Sequence, residues 1–210
     1  MIRSAGTLLS NTQKPEPILL RKSVTMDVDI TSVIIGTKRL TLRSFRQEDL
    51  TDLNRYASID GVGQPAGWKP HESMEDSQEI LDLFLAGKKT FALVHEGIVI
   101  GSLGIESGSS FAYPQLEGKL YKAIGFALAK DYWGQGLMPE AVEAVLKYLF
   151  EDHGLDLVLG SFYTHNKRSA RVFEKNGFIV LGTRTTTTRF GNDEHVTDII
   201  LSRDKWEEMN

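Results

Sequence analysis

The stretch from Ala123 to Phe150, AIGFALAKDYWGQGLMPEAVEAVLKYLF, limits what this chain can fold into more than any other. Its opening alternates, with Ile124, Phe126 and Leu128 spaced by small residues, the period of a half-buried strand. Its close sets Ala141, Val142, Val145, Leu146, Leu149 and Phe150 three and four apart, a helix with Pro139 near its first turn. Between them lies Tyr132-Trp-Gly-Gln-Gly-Leu-Met138. The two glycines let backbone approach a ligand with no Cβ in the way. The unpaired N–H groups and dipole at the helix start make an anion site. The segment reads as a strand–turn–helix that holds a phosphate or pyrophosphate, or else as a glycine-softened turn with no ligand. Two familiar phosphate loops are ruled out: Pro139 stands where G-x-G-x-x-G needs its third glycine, and no G-x-x-x-x-G-K-[ST] occurs.

The 210 residues suit one domain, or one domain with a tail. With 41% hydrophobic and 25% charged residues, a sizeable core is available. The net charge of −4 argues against a general nucleic-acid binder and mildly favours a cationic substrate. There is no cysteine, which excludes disulfides, thiolate zinc sites and a cysteine nucleophile. His71, His95, His153 and His195 are scattered and lack metal-ligand spacing, so no metal is expected. No apolar run approaches the roughly 18 residues needed to span a bilayer, so the expectation is a cytoplasmic protein without membrane partners.

In chain order, residues 1–30 read as an N-terminal tail or linker, and 31–210 as the domain. Arg39 to Phe45 alternates as a strand; Gln47 to Ser58 reads as a helix with Leu50, Leu53 and Tyr56 on one face. Asp60 to Pro70 is loop. Ser73, with Asp76 three residues on, caps a second helix carrying Ile80, Leu81, Phe84 and Leu85. Thr90–His95 and Ile98–Glu106 form a hairpin about Glu96-Gly97, and Ser107–Glu117 is a polar loop. After the long helix come a strand over Asp156–Tyr163 and a short helix over His165–Lys175, stopped at Asn176-Gly177. A hairpin over Phe178–Thr188 and His195–Leu201 follows, then a turn ending in Trp206. The fold class is α+β, a mixed, mostly antiparallel sheet with helices on both faces.

This order and two motifs resemble the GNAT superfamily of acyl-CoA-dependent N-acyltransferases. The pyrophosphate loop [QR]-x-x-G-x-[GA] stands as Asp131-Tyr-Trp-Gly-Gln-Gly136, with Asp131 in place of the usual Gln or Arg. The second motif is present as Asn166, Ser169, Val172, Gly177 and Phe178. Thr37-Lys-Arg-Leu-Thr-Leu-Arg43 with Asp49-Leu50, and the Tyr-Trp-Gly-x-Gly form of the loop, resemble the branch that contains the ribosomal-protein N-terminal acetyltransferases. The resemblance covers about residues 37–206.

It implies a sheet with two splayed strands, and an acetyl group moved from acetyl-CoA to an amine by direct attack. Phe126, Ala127 and Leu128 would pair with the pantetheine arm. Trp133, Gly134, Gln135, Gly136, Leu137 and Met138 would hold the pyrophosphate. Asn166, Ser169 and Phe173 would meet the pantetheine end. Arg168 and Arg171 would either meet phosphates or form a solvated face. Glu106 is the implied general base, directly or through water, and His165 a spare proton acceptor. Relatives often place a tyrosine acid where Phe173 stands, so that acid is missing and Ser169 would stabilise the departing thiolate. Trp68 and His71 would line the acceptor pocket. The acceptor is a protein N-terminal amine or a small amine such as a polyamine, amino acid or antibiotic; a non-catalytic acyl-CoA sensor is the rival. Relatives are monomers or homodimers.

Overall fold

The computed structural model describes residues 26–108, 111–188 and 190–210. Most of the stretch read as a tail, positions 1–25, lies outside them. Of its remainder, Val28 and Ile30 are buried in the core. Ile30 N donates to Lys88 O, and Ile30 O accepts from Ser44 Oγ, which fastens this segment to the domain.

Eight strands form one sheet: β1 (Ile34–Gly36), β2 (Thr41–Ser44), β3 (Thr90–His95), β4 (Ile98–Glu106), β5 (Tyr121–Leu128), β6 (Leu157–Tyr163), β7 (Ile179–Thr187) and β8 (Asp193–Ser202). Their order is β1-β2-β3-β4-β5-β6-β8-β7, and of the neighbouring pairs β5–β6 alone is parallel. The helices are α1 (Leu50–Ala57), α2 (Met74–Gly87), α3 (Leu137–Lys147), α4 (Lys167–Lys175) and α5 (Arg203–Met209). This is the expected α+β architecture. The additional β1 precedes the first strand read from the sequence.

Register assigns the layers. Ser102 and Gly104 of β4 lie opposite Ala127 and Gly125 of β5, and Tyr56 of α1 is hydrogen-bonded to Ser102, so α1 and its neighbour α2 cover this face. Leu103 lies opposite Phe91 and Phe126 and faces the other way. There Phe91 meets Tyr148 just after α3, and Phe126 meets Phe173 of α4, with ring centroids 6.1 and 5.1 Å apart. The sheet is therefore flanked by helices on both faces. The segment read as a polar loop carries a small second core, where Phe111 and Leu116 pack with Ala123, Leu157 and Leu159.

α2 starts as its sequence predicts. Ser73 Oγ accepts from Asp76 N while the Asp76 carboxylate accepts from Ser73 N, a reciprocal cap. Beyond its end, Lys88 takes a left-handed conformation and Lys89 pairs with Glu106.

Candidate active site

The site begins where β5 and β6 part. They are in register only from Tyr121↔Leu157 to Ala123↔Leu159, whereas β5 stays on β4 from Ala123 to Leu128. Ala129 N donates to Ile100 O on the β4 side. Backbone groups alternate sides along a strand, so Phe126 and Leu128 turn their N–H and C=O toward the gap. There Leu128 O accepts from the Trp133 indole N–H at 2.8 Å. A cavity of about 1040 Å³ runs through the gap and is lined on both sides by residues of β4, β5 and β6.

At one end the cavity reaches the glycine loop. Gly134 and Gly136 have φ of 76° and 78°, a region that side chains with a Cβ disfavour. A Cβ added at Gly134 would meet only open space, so no protein atom crowds the loop there. The N–H groups of Gly134, Gln135 and Gly136 have no backbone partner among the described residues. Those of Leu137 and Met138 open α3, where no intrahelical acceptor exists. Trp133, expected among these donors, is not one, because its N–H donates to Lys130 O. Its ring serves instead as a strut, covered by the Arg168 guanidinium at 4.1 Å. Arg168, Arg171 and Lys175 line this end, so cations surround the loop. Gln135 does not line the cavity: its amide donates to Asp131 O and its carbonyl accepts from Arg39. Free N–H groups, clustered cations and missing side chains make a fitting seat for a polyphosphate.

The loop is braced by residues that sequence reasoning did not assign. Arg39 Nε donates to Glu140 Oε2 at 2.7 Å, Arg39 N and Thr37 Oγ1 both donate to Glu140 Oε1, and Arg39 NH1 reaches Gln135 O at 2.8 Å. Burial alone would raise the Glu140 carboxyl, but the hydrogen bonds from Thr37 and Arg39 outweigh it and hold it below the usual range. The signal lay in Thr37 and Arg39, which marked a likeness without a stated partner.

Midway, Asn166 caps α4: its Oδ1 accepts from Ser169 N, and its Nδ2 donates to Ser169 Oγ at 2.9 Å and to Pro65 O at 3.4 Å. The amide is thus committed within the protein. Ser169 lines the cavity and, already an acceptor, keeps its own O–H proton to donate. Phe173 is buried among Phe126, Phe162 and Phe178 and seals the floor. Its ring occupies the room that a Cβ on Gly160 would need.

At the other end Trp68, His71, Ile80, Phe84, Thr90 and Glu106 line the cavity. The Trp68 ring lies on Gly63, where a Cβ would collide with it. His71 packs on Trp68, with ring centroids 5.4 Å apart, and its Nδ1 is 2.8 Å from Ser77 Oγ. Burial lowers the His71 pKa below its ordinary value, against the pull of Asp76. Glu106 is the single carboxylate among the described residues that line the cavity, and Lys89 Nζ is 2.5 Å from it. His165 lies outside the cavity, exposed, 3.6 Å from Glu194. No group of three or more His, Asp or Glu able to hold a metal occurs among the described residues. None of their helices is long and apolar enough to cross a membrane.

The chain is 27% identical over 153 residues to the uncharacterized N-acetyltransferase YoaA of Bacillus subtilis, covering 69% of this chain and 82% of that protein. Among solved structures, Mycobacterium smegmatis RimJ in complex with CoA-disulfide superposes with a TM-score of 0.67 at 17% identity, over 82% of this chain and 88% of that one. The spermidine N-acetyltransferase from Vibrio cholerae, in complex with CoA and spermine, gives 0.65 at 17% identity, over 80% and 98%. At such identities the superpositions speak for the fold. The family model described as acetyltransferase (GNAT) domain matches residues 39–179, which takes in the glycine loop, the splayed strands and α4. A match over more than half of the chain, on a fold of the same kind, settles its membership: this protein belongs to the GNAT acetyltransferase family.

Proposed function

We propose that this acetyl-CoA-dependent N-acetyltransferase acts on the α-amine at the N-terminus of a protein or peptide, as does the ribosomal-protein branch whose motifs it resembles. The observation that carries the acceptor class is the charge of the cavity. Its acceptor end has one carboxylate, Glu106, and Lys89 already neutralises it. A polyamine or an aminoglycoside brings several positive charges and needs several carboxylates to replace their hydration. A peptide N-terminus brings one, beside an amide backbone and a side chain that Trp68, Ile80 and Phe84 can cover. An α-amine also has a pKa near 8 against about 10.4 for lysine, so it is more readily neutral at physiological pH.

The residues divide the work as follows. Bound acetyl-CoA supplies an activated acyl thioester. The free backbone groups of β5 at Phe126 extend the sheet onto an amide-bearing arm, with Ala127 and Leu128 forming the strand that presents them. The N–H groups of Gly134, Gly136, Leu137 and Met138 hold the pyrophosphate, with Arg168, Arg171 and Lys175 beside it. Ser169 donates its hydroxyl proton to the departing thiolate, and Asn166 fixes that hydroxyl. Catalysis is mainly the holding of two reactants in one cleft.

The test is calorimetric binding of acetyl-CoA followed by a thiol-release assay against peptides, polyamines and aminoglycosides. Binding with release on peptides alone is expected. Release on polyamines with none on peptides overturns the acceptor class, and binding without release on any amine overturns the catalytic reading.

A further inference from the structure

We propose that His71, rather than Glu106, is the catalytic proton acceptor for the attacking amine. The inference rests on the acyl-transfer reading above and names a residue for it.

Three observations lead there. First, attack requires a neutral amine, so one proton must leave the ammonium within the cleft. Among the described residues that line the acceptor end, His71 and Glu106 are the groups with the chemistry to receive it. Second, Glu106 is half-exposed and its carboxylate is held by Lys89 at 2.5 Å. That ion pair engages the carboxylate with a partner outside the reaction.

Third, His71 is fixed in place. Its Nδ1 lies 2.8 Å from Ser77 Oγ, and Ser77 is fully buried. Ser77 Oγ also accepts from Asn54 Nδ2 at 3.0 Å, and the His71 backbone N–H donates to Ala57 O. Trp68 covers the ring. In the tautomer the reaction requires, Nδ1–H donates to Ser77 and Nε2 carries the lone pair. No described residue is bonded to Nε2. The charged group that acts on the ring is Asp76 of α2, whose carboxylate is taken up by the N–H groups of Glu72 and Ser73; Glu106 of β4 lines the same cavity. Burial favours the neutral imidazole, the form a base needs.

The protons balance. His71 Nε2 takes one proton from the acceptor's ammonium and later returns it to solvent. The neutral amine forms its C–N bond as the thioester C–S bond breaks. The second N–H proton makes up the one that the thiolate receives through Ser169.

The test is the pH profile of kcat/KM and of kcat for wild type, His71→Gln, Ser77→Ala and Glu106→Gln, with a peptide acceptor at saturating acetyl-CoA. Wild type should show an acid limb below about pH 6.5, the ordinary histidine value. His71→Gln should lower kcat about 10²-fold and lose that limb, its rate instead rising with the free-amine fraction toward about pH 8. Ser77→Ala, which leaves the imidazole but loosens it, should lower kcat less and keep the limb. Glu106→Gln should keep the limb as well. Thermal melts and acetyl-CoA binding identify any variant that has merely unfolded, and Ser77→Ala then carries the test. The proposal is overturned if His71→Gln raises KM while kcat and the limb stay, or if Glu106→Gln removes the limb. Absence of thiol release by wild type with every amine would overturn the acyl-transfer reading and this one with it.

Discussion

Arg39 and Glu140 grip each other at two points, main chain and side chain, across 101 residues of sequence. Arg39 comes from the turn that links β1 to β2, Glu140 from the first turn of α3, and the same guanidinium holds Gln135 O. The turn thus sets the angle at which the glycine loop meets the helix start. Replacing Glu140 with Gln should raise the KM for acetyl-CoA about 10-fold, equal to about 1.4 kcal/mol of binding, with kcat little changed. Steady-state kinetics with acetyl-CoA as the varied substrate checks this.

The same pair makes a pH-dependent contribution to stability. The folded Glu140 carboxyl is held below its unfolded value of about 4.3. A depressed acid stabilises the fold above its unfolded pKa, and that contribution fades as pH falls through the folded pKa. The Tm gap between wild type and Glu140→Gln should therefore be constant from neutral pH down to about 5 and close below about 4. A gap that widened in acid would refute the assignment.

Gly134 separates backbone demand from ligand demand. An alanine there meets no protein atom, so the fold loses only the roughly 1–2 kcal/mol of a left-handed residue with a Cβ. The space that the new methyl fills is the one assigned to the pyrophosphate. Acetyl-CoA affinity should fall more than 10-fold, well beyond what the drop in Tm reflects. Calorimetric titration beside a thermal melt distinguishes the two.

Ser169→Ala should lower kcat about 10²-fold, as the loss of one aimed donor does, while acetyl-CoA binding is retained. A matching loss in binding would assign the serine to the cofactor grip instead. The relevant measurement is single-turnover thiol release next to the dissociation constant.

Asp198 is fully buried in β8. Its Oδ2 accepts from Tyr113 OH and Arg184 Nε, both at 2.8 Å, and its Oδ1 has no partner among the described residues. Asp198→Ala should leave Arg184, whose side chain is 35% exposed, and the Tyr113 hydroxyl without their partner and lower stability by about 1–3 kcal/mol. Asp198→Asn keeps an acceptor and should lose about half as much. Urea unfolding at pH 7 resolves both.

Much of this architecture was legible because period reports burial. Strands β2 to β8 and the helices followed their alternation or their three-and-four spacing, and the glycine loop announced its backbone by having no Cβ. β1 did not, since three residues with Ile34 largely exposed carry no pattern. The site was legible where one segment makes it, as at Gly134, Gly136 and Ser169. It was obscure where distant segments meet. Lys89, just past α2, pairs with Glu106, seventeen positions on, and nothing in its local sequence names that partner. Phe111 and Tyr113 read as loop, yet both pack on a sheet face and the Tyr113 hydroxyl donates to Asp198. Pairings of this kind are fixed by topology, and no local period encodes them.

The three registered rungs between β5 and β6 are also the seam of the molecule. On one side, β1 to β5 form a five-stranded leaf; on the other, β6, β8 and β7 form a three-stranded one. A ligand lying in the gap touches both leaves and so acts as a splice between them. Its binding energy is then spent on mechanical continuity as well as on chemistry, about 2.7 kcal/mol when the ligand stands at 100 times its dissociation constant. Without it the two leaves remain one sheet, joined by these rungs and by a single apolar core that runs under both.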